Sequence, residues 1–198
     1  MSTLLTDDWA WGQCHMPSLK RVACDMATVV MSTPIGHVTV TGCDVGVHKI
    51  SLTAAKTLPK QSTKIIEVFE EPSHWSASLK ECSDWLRKYF EDASLIMNLP
   101  LPPLHITEFK SDSFSSQVWR KLASDVRAGQ TVTYGELAAM LGNPHGARAV
   151  GGAMRHNPTP LVVPCHRVLG SGGKLGGFMS DKGIVLKEWL LKHEGASY

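Results

Sequence analysis

No stretch of this 198-residue chain approaches the roughly 20 consecutive apolar residues that a membrane-spanning helix requires. The N-terminus lacks the basic start, apolar run and small-residue cleavage site of a secretory signal, so export is not expected. Cysteine is sparse: Cys14, Cys24, Cys43, Cys82 and Cys165 are an odd, widely spaced set with no compact disulfide framework. That reads as an intracellular protein with reduced thiols. Charge of one sign is lacking too. A formal net charge of +2 neither requires nor excludes a nucleic-acid partner, because a basic face can hide in a neutral total. What is present is enough chain for one large domain or two small ones with ample core.

The most informative stretch is Leu161-Val162-Val163-Pro164-Cys165-His166-Arg167-Val168, where a cysteine and a histidine stand together at the end of an apolar, β-prone run. A thiolate attacks carbon well, and a neighbouring imidazole is the usual means of forming one at neutral pH. Adjacent residues on a strand point to opposite faces, however, so the pair alone reads first as a buried, inert cysteine and only the surrounding sequence reverses that order.

Residues 1–20 carry Trp9 and Trp11 among polar residues without periodicity and read as a flexible extension. From Cys24 to Leu52 the pattern alternates through turns at Thr33-Pro34-Ile35-Gly36 and Asp44-Val45-Gly46, which predicts an antiparallel meander. Residues 53–73 give no firm assignment. Leu79, Cys82, Leu86, Tyr89 and Phe90 fall at helical spacing, which makes Cys82 a core residue. The run Leu99-Pro100-Leu101-Pro102-Pro103-Leu104 cannot continue a helix or pair as a central strand, and marks a domain boundary. The expected organisation is therefore 1–20 extension, 21–104 an α/β N-terminal domain, and 105–198 a mainly helical C-terminal domain.

In that second half, Phe114, Val118, Leu122 and Val126 mark a helix ending near Gly129. Thr133-Tyr134-Gly135-Glu136 fits a capping box opening a short helix to Leu141. After Gly142, Asn143 would cap a second helix with Pro144 in its first turn, running to about His156. Ala147, Val150 and Met154 would face the core, and Arg148 and Arg155 would point elsewhere. Gly151-Gly152 costs that helix roughly 1 kcal/mol per glycine, which close approach by another backbone would explain. Two short helices across a Gly-Asn turn make a helix-turn-helix, or equally a plain helical hairpin in the core. A last helix carries Leu186, Trp189, Leu190 and His193 on one side, with Glu194 before the terminating Gly195.

Taken together, Tyr134-Gly135-Glu136-Leu137-Ala138-Ala139, Asn143-Pro144, Ala147 to Arg155, Asn157-Pro158, Pro164-Cys165-His166-Arg167-Val168 and Lys187-Glu188-Trp189-Leu190-Leu191 resemble the O6-alkylguanine-DNA alkyltransferase family, close to its vertebrate form. The resemblance is dense from about Phe114 to Gly195, sparser over 24–105, and does not extend to residues 1–20. It implies an α/β N-terminal domain and a C-terminal domain with a winged-helix-like helix-turn-helix. It further implies a nuclear protein, monomeric in solution, that binds double-stranded DNA containing O6-alkylguanine through the minor groove. Such a protein flips the damaged base out and moves its alkyl group irreversibly to a cysteine, with no organic cofactor.

By motif match that acceptor is Cys165, with His166 as its base through a bridging water and Glu194 as the carboxylate that orients the histidine. Tyr134 matches the residue whose hydroxyl donates toward the departing guanine, and Asn157 the hinge residue that satisfies turn amides. Arg148 matches the arginine that fills the gap left by the flipped base. Ser115, Asn143 and Ser171 match DNA-contact positions, and Gly135 stands where a side-chain contact is usual, leaving only its backbone. Cys24, Cys43, His48 and His105 match the structural zinc ligands of vertebrate members, although 18, 4 and 56 intervening residues are unlike a compact finger. Without the resemblance they are two strand cysteines and two unrelated histidines. The chain departs from the family in Gly176 to Gly183, about two residues longer and more polar than the usual pocket loop, while Pro160 is retained. A cysteine hydrolase built on Cys165, His166 and Glu194, and a damage sensor without chemistry, are the competing functions.

Overall fold

A computed structural model describes residues 24–59, 67–106, 113–178 and 183–198. The expected extension at residues 1–20 lies outside the described residues. Strands β1 (Ala27–Thr33), β2 (Gly36–Gly42) and β3 (Val47–Ala54) form the expected antiparallel meander. Its first hairpin closes on Pro34-Ile35, with Thr33 opposite Gly36 and Val29 opposite Val40. Alternate residues Ala27, Val29 and Met31 of β1 and Val38 and Val40 of β2 point inward, as a half-solvated sheet requires. Helix α1 (Ala77–Glu91) covers that face with Leu79, Cys82, Leu86, Tyr89 and Phe90, all fully buried. Ser76 caps it by accepting from the Leu79 amide.

A fourth strand, β4 (Glu67–Glu70), pairs with β1 at the sheet edge, in the order β3-β2-β1-β4. It falls where the sequence pattern is silent, because Glu-Val-Phe-Glu is short and its flanking carboxylates suit an exposed edge. The opposite edge, along β3, is covered by chain from elsewhere. The Val47 amide donates to Pro103 O (2.8 Å), the His105 amide to Val47 O (2.8 Å), and the Ile50 amide to Pro158 O (2.8 Å). The proline-rich run thus contributes an isolated bridge at Leu104 and no central strand.

The second half is mainly helical: α2 (Phe114–Asp125), α3 (Tyr134–Met140), α4 (Ala147–Arg155) and α5 (Gly183–His193). A two-residue parallel pair, β5 (Val132–Thr133) with β6 (Val168–Leu169), ties the start of α3 to the segment after Cys165. The capping box forms in both directions, Thr133 N–H donating to Glu136 Oε2 (2.6 Å) and Glu136 N–H to Thr133 Oγ1 (3.1 Å). The helix-turn-helix is present, but its second helix starts later than expected. Residues 143–146 form a tight turn in which the Gly146 amide donates to Asn143 O (2.8 Å), so Gly146, not Asn143, stands at the N-cap. Proline at 144 serves the turn as readily as a first helical turn. Val150 and Met154 are buried, Ala147 is half-buried, and Arg148 and Arg155 are exposed. Trp119 on α2 locks the pair by donating to Ala153 O (2.9 Å).

The two halves share one continuous apolar core. Across their junction, Trp189 Nε1 donates to Pro59 O (2.6 Å), and the Trp189 ring lies 6.4 Å from the Phe90 ring of α1. Leu86→Ala, removing a fully buried side chain beneath the sheet, should cost about 2–5 kcal/mol in urea unfolding. Leu95→Ala, at a position 45% exposed, should cost under about 0.5 kcal/mol in the same measurement.

Candidate active site

Cys165, His166 and Arg167 do not lie on a strand. They form one 3-10 turn, and only Val168-Leu169 continue as strand. Pro164 breaks the apolar run, so the alternation expected of a strand does not apply to the Cys-His pair. Just upstream, Leu161 is held at φ 76°, a left-handed conformation costing a residue with a Cβ about 1–3 kcal/mol. Its side chain is 1% exposed, so packing maintains the turn that delivers Cys165.

Asn157, at the end of the helix-turn-helix, holds this turn from the side. Its Nδ2 donates to Val163 O (2.8 Å), and its Oδ1 accepts from the Thr159 amide (3.0 Å). Cys165 is 7% exposed, and burial pushes its thiol pKa up. Hydrogen bonding by Asn157 and the positive charge of Lys187 pull the other way. The Lys187 ammonium, on α5, donates to Val168 O (2.6 Å) and to Leu175 O. Burial brings its pKa down to about 8, against the pull of Cys165.

His166 is fully buried. Its Nε2 lies 2.7 Å from Glu194 Oε1, and since an ionised carboxylate only accepts, Nε2 carries the proton. Nδ1 is buried with no hydrogen-bond partner among the described residues, a lone pair available as a base. Burial lowers the His166 pKa, opposed by Glu194, so the ring is neutral at neutral pH. The Glu194 side chain is itself fully buried, yet bound on both oxygens. Arg167 Nε donates to Oε2 (2.8 Å) and Nη2 to Oε1 (2.9 Å), while Arg167 Nη1 donates to Val126 O (2.6 Å). Tyr89 Oη donates to Oε1 (2.9 Å) and the Gly129 amide to Oε2 (3.4 Å). Burial alone would raise this carboxyl, but His166 and Arg167 outweigh it and hold it well below the usual carboxylate range.

A second cluster sits in the sheet-bearing half. One ligand atom each from Cys24, Cys43, His48 and His105 lies within 4.8 Å of all the others. Cys43 Sγ is 3.1 Å from His48 Nε2 and 3.3 Å from His105 Nδ1, and Cys24 Sγ is 3.8 Å from that same nitrogen. Gly46 permits the close approach: a Cβ there would meet His105 N and Leu104 C, each at 2.8 Å.

Residues 26–103 match the family model for the 6-O-methylguanine DNA methyltransferase ribonuclease-like domain, and 113–196 match the DNA binding domain of the same family. The methylated-DNA–protein-cysteine methyltransferase of Mus musculus is 45% identical over 175 residues, covering 87% of this chain and 82% of that protein. The Homo sapiens protein of that name is 39% identical over the same share of this chain. A crystal structure of Mycobacterium tuberculosis OGT in complex with DNA superposes with a TM-score of 0.62 at 31% identity, covering 84% of this chain and 91% of that one. The chain belongs to the methylated-DNA–protein-cysteine methyltransferase family.

Within that family frame, the structure gathers Cys165, His166, Glu194 and Asn157 around one buried turn. Tyr134 opens α3, half-buried against α4, where a Cβ added to Gly151 would lie 4.0 Å from its Cε1. Its phenol pKa is raised by burial and then by Cys165, which keeps it a donor. Ser115 lies in the first turn of α2, Gly135 in the first turn of α3, Asn143 in the turn before α4, Arg148 on the exposed face of α4, and Ser171 in a 3-10 turn after β6. A Cβ added to Gly152 would meet nothing within 4 Å among the described residues, so the close backbone approach expected at the glycine pair does not come from them. Of the long loop, Phe178 packs edge-on to His166 at 6.4 Å, and residues 179–182 lie outside the described residues.

Three participants escape the sequence reading: Arg167, Lys187 and Tyr89. Two left a signal. Arg167 follows a run of apolar residues, where a buried guanidinium demands a carboxylate. Lys187 has apolar neighbours at Leu186, Leu190 and Leu191, which put it on a buried face.

Breaking the buried pair should be costly. Glu194→Gln should destabilise the fold by about 3–5 kcal/mol, because Arg167 keeps its charge without a partner. The wild-type pH dependence follows from the same groups. Glu194 titrates below its ordinary 4.5, so its stabilising contribution is present above pH 4.5 and lost as pH falls through the depressed value. His166 titrates below its ordinary 6.5, so folding also weakens as pH drops beneath 6.5. Urea unfolding across the acid range should show a shallower loss in Glu194→Gln than in wild type.

Proposed function

We propose that this protein repairs DNA by direct reversal, taking the O6-alkyl group of guanine, chiefly methyl, onto Cys165 in a single irreversible transfer. The observation that carries this reading is a buried thiol beside a neutral imidazole whose proton is committed to Glu194, leaving Nδ1 open. The thiol proton passes through a bridging water to Nδ1, and Glu194 stabilises the imidazolium that forms. The thiolate, favoured by Asn157 and Lys187, forms a C–S bond as the C–O6 bond breaks, and the electron pair departs with the guanine. Tyr134 donates toward the ring as that charge develops. A thioether has no leaving group, so nothing regenerates the thiol and each molecule acts once.

A base inside a duplex cannot reach a buried cysteine, so the target must leave the stack. The exposed Arg148 fills the space it vacates, and the open helix face at Gly152 suits a narrow minor groove. Ser115, Gly135, Asn143 and Ser171 contact the backbone. The protein acts as a monomer, in the nucleus, on double-stranded DNA containing O6-alkylguanine.

The four-residue Cys/His cluster is proposed to hold a structural zinc ion. Two thiols and two imidazoles, with their ligand atoms all within 4.8 Å of one another, are a donor set that suits zinc. Cys24, Cys43, His48 and His105 would then tie the first strands to the chain entering the helical half.

Mass spectrometry after exposure to methylated DNA should show one methylene gained per protein, on the Cys165 peptide. Many turnovers per molecule, or repair surviving Cys165→Ser, would overturn the assignment. Arg148→Ala should slow repair of duplex DNA more than reaction with the free modified base; equal losses would exclude the filler role. His105→Ala should lose about one equivalent of bound zinc by elemental analysis and lower the thermal midpoint. Its transfer rate per folded molecule should stay near wild type, since the role proposed for zinc is structural.

A further inference from the structure

We infer that Tyr89, on the sheet-covering helix α1, is a positioning residue for alkyl transfer: its hydroxyl fixes the Glu194 oxygen that holds His166. This rests on the roles proposed above for His166 and Glu194. Three donors converge on Glu194 Oε1: His166 Nε2 at 2.7 Å, Tyr89 Oη at 2.9 Å and Arg167 Nη2 at 2.9 Å. Oε2 takes Arg167 Nε and the Gly129 amide. With both oxygens engaged, the carboxylate cannot turn without breaking several bonds to a charged acceptor.

Tyr89 is itself immobilised from end to end. Its carbonyl accepts from His193 Nε2 (2.6 Å), so consecutive residues of the α5 terminus, His193 and Glu194, grip the two ends of one tyrosine. The ring is fully buried and stacks on Trp85 at 5.6 Å with an interplanar angle of 2°. Burial and the neighbouring Glu194 raise its pKa well above the usual phenol range, so it remains a donor wherever the protein is folded.

A hydroxyl on Oε1 does more than join two halves of the molecule. It draws charge from the oxygen that stabilises the imidazolium, and so sets how basic His166 is. The charged groups facing His166 are Lys187 from α5, Glu194 just past its end and Arg167 from its own turn, with the Cys165 thiol adjacent. Of these, only Glu194 raises the His166 pKa, so a change at Glu194 Oε1 is read directly by the histidine.

The test is the pH dependence of single-turnover methyl transfer by the full-length protein, with a methylated duplex oligonucleotide as substrate. Tyr89→Phe keeps the ring and loses the donor. Its acid limb should move to higher pH, slowing transfer at the acid end roughly three- to tenfold with DNA affinity unchanged. Placing 3-fluorotyrosine at position 89 keeps the fold and strengthens the donor, and should move the limb to lower pH. A role in packing alone predicts no such opposed shifts. If both substitutions leave the limb in place while Glu194→Gln displaces it, Tyr89 merely joins the two halves and the inference is wrong, with the proposed function intact. If Glu194→Gln also leaves it unmoved, the histidine–carboxylate relay fails and the inference fails with it.

Discussion

The structure is organised around a carboxylate with no access to water. Transferring such an ion from solvent into a protein interior costs several kcal/mol unless its oxygens are fully engaged. Glu194 receives five hydrogen bonds, from His166, Arg167 twice, Tyr89 and the Gly129 amide. Those donors come from the cysteine turn, from α1 and from the loop after α2, while the carboxylate itself sits just past the end of α5. Satisfying one buried charge therefore fixes the relative placement of four separate segments. The cysteine turn inherits its position from that requirement, and so does the tautomer of its histidine.

The electrostatics around the sulfur follow the same logic in weaker form. Burial disfavours the thiolate, and Lys187 and Asn157 favour it without winning. Lys187 is held by two main-chain carbonyls and makes no ion pair among the described residues, so its charge remains available to an anion nearby. The resting state is a neutral thiol beside a neutral ring, with a cation and an open ring nitrogen ready for the opposite arrangement.

Much of this was legible in the amino-acid order. The meander shows as alternation closed by Pro34 and Gly46, helix α1 as a stripe from Leu79 to Phe90, and α3 as the capping box of Thr133 and Glu136. Local signals of this kind depend on neighbours in sequence. Strand β4 did not show because its pairing with β1 is long-range and its own composition is that of an exposed edge. The late start of α4 did not show because an Asn-Pro pair suits a turn and a cap equally. Cys165, His166 and Glu194 were found through motif resemblance, and spacing alone would have left them unconnected. Tyr89 reads from sequence as one more residue of a core stripe. Its ring is indeed that, and only the tertiary packing of α1 against the end of α5 gives its hydroxyl a partner.

The shielding of the Cys165 sulfur has a consequence between encounters with substrate. Oxidants and small electrophiles in the cell select exposed, ionised sulfur. A thiol on a buried residue, kept protonated by its surroundings, offers them little. On the single-transfer reading proposed above, that shielding keeps the acceptor from being spent on the wrong target, and its useful lifetime is set by the damage it meets rather than by chemical ageing.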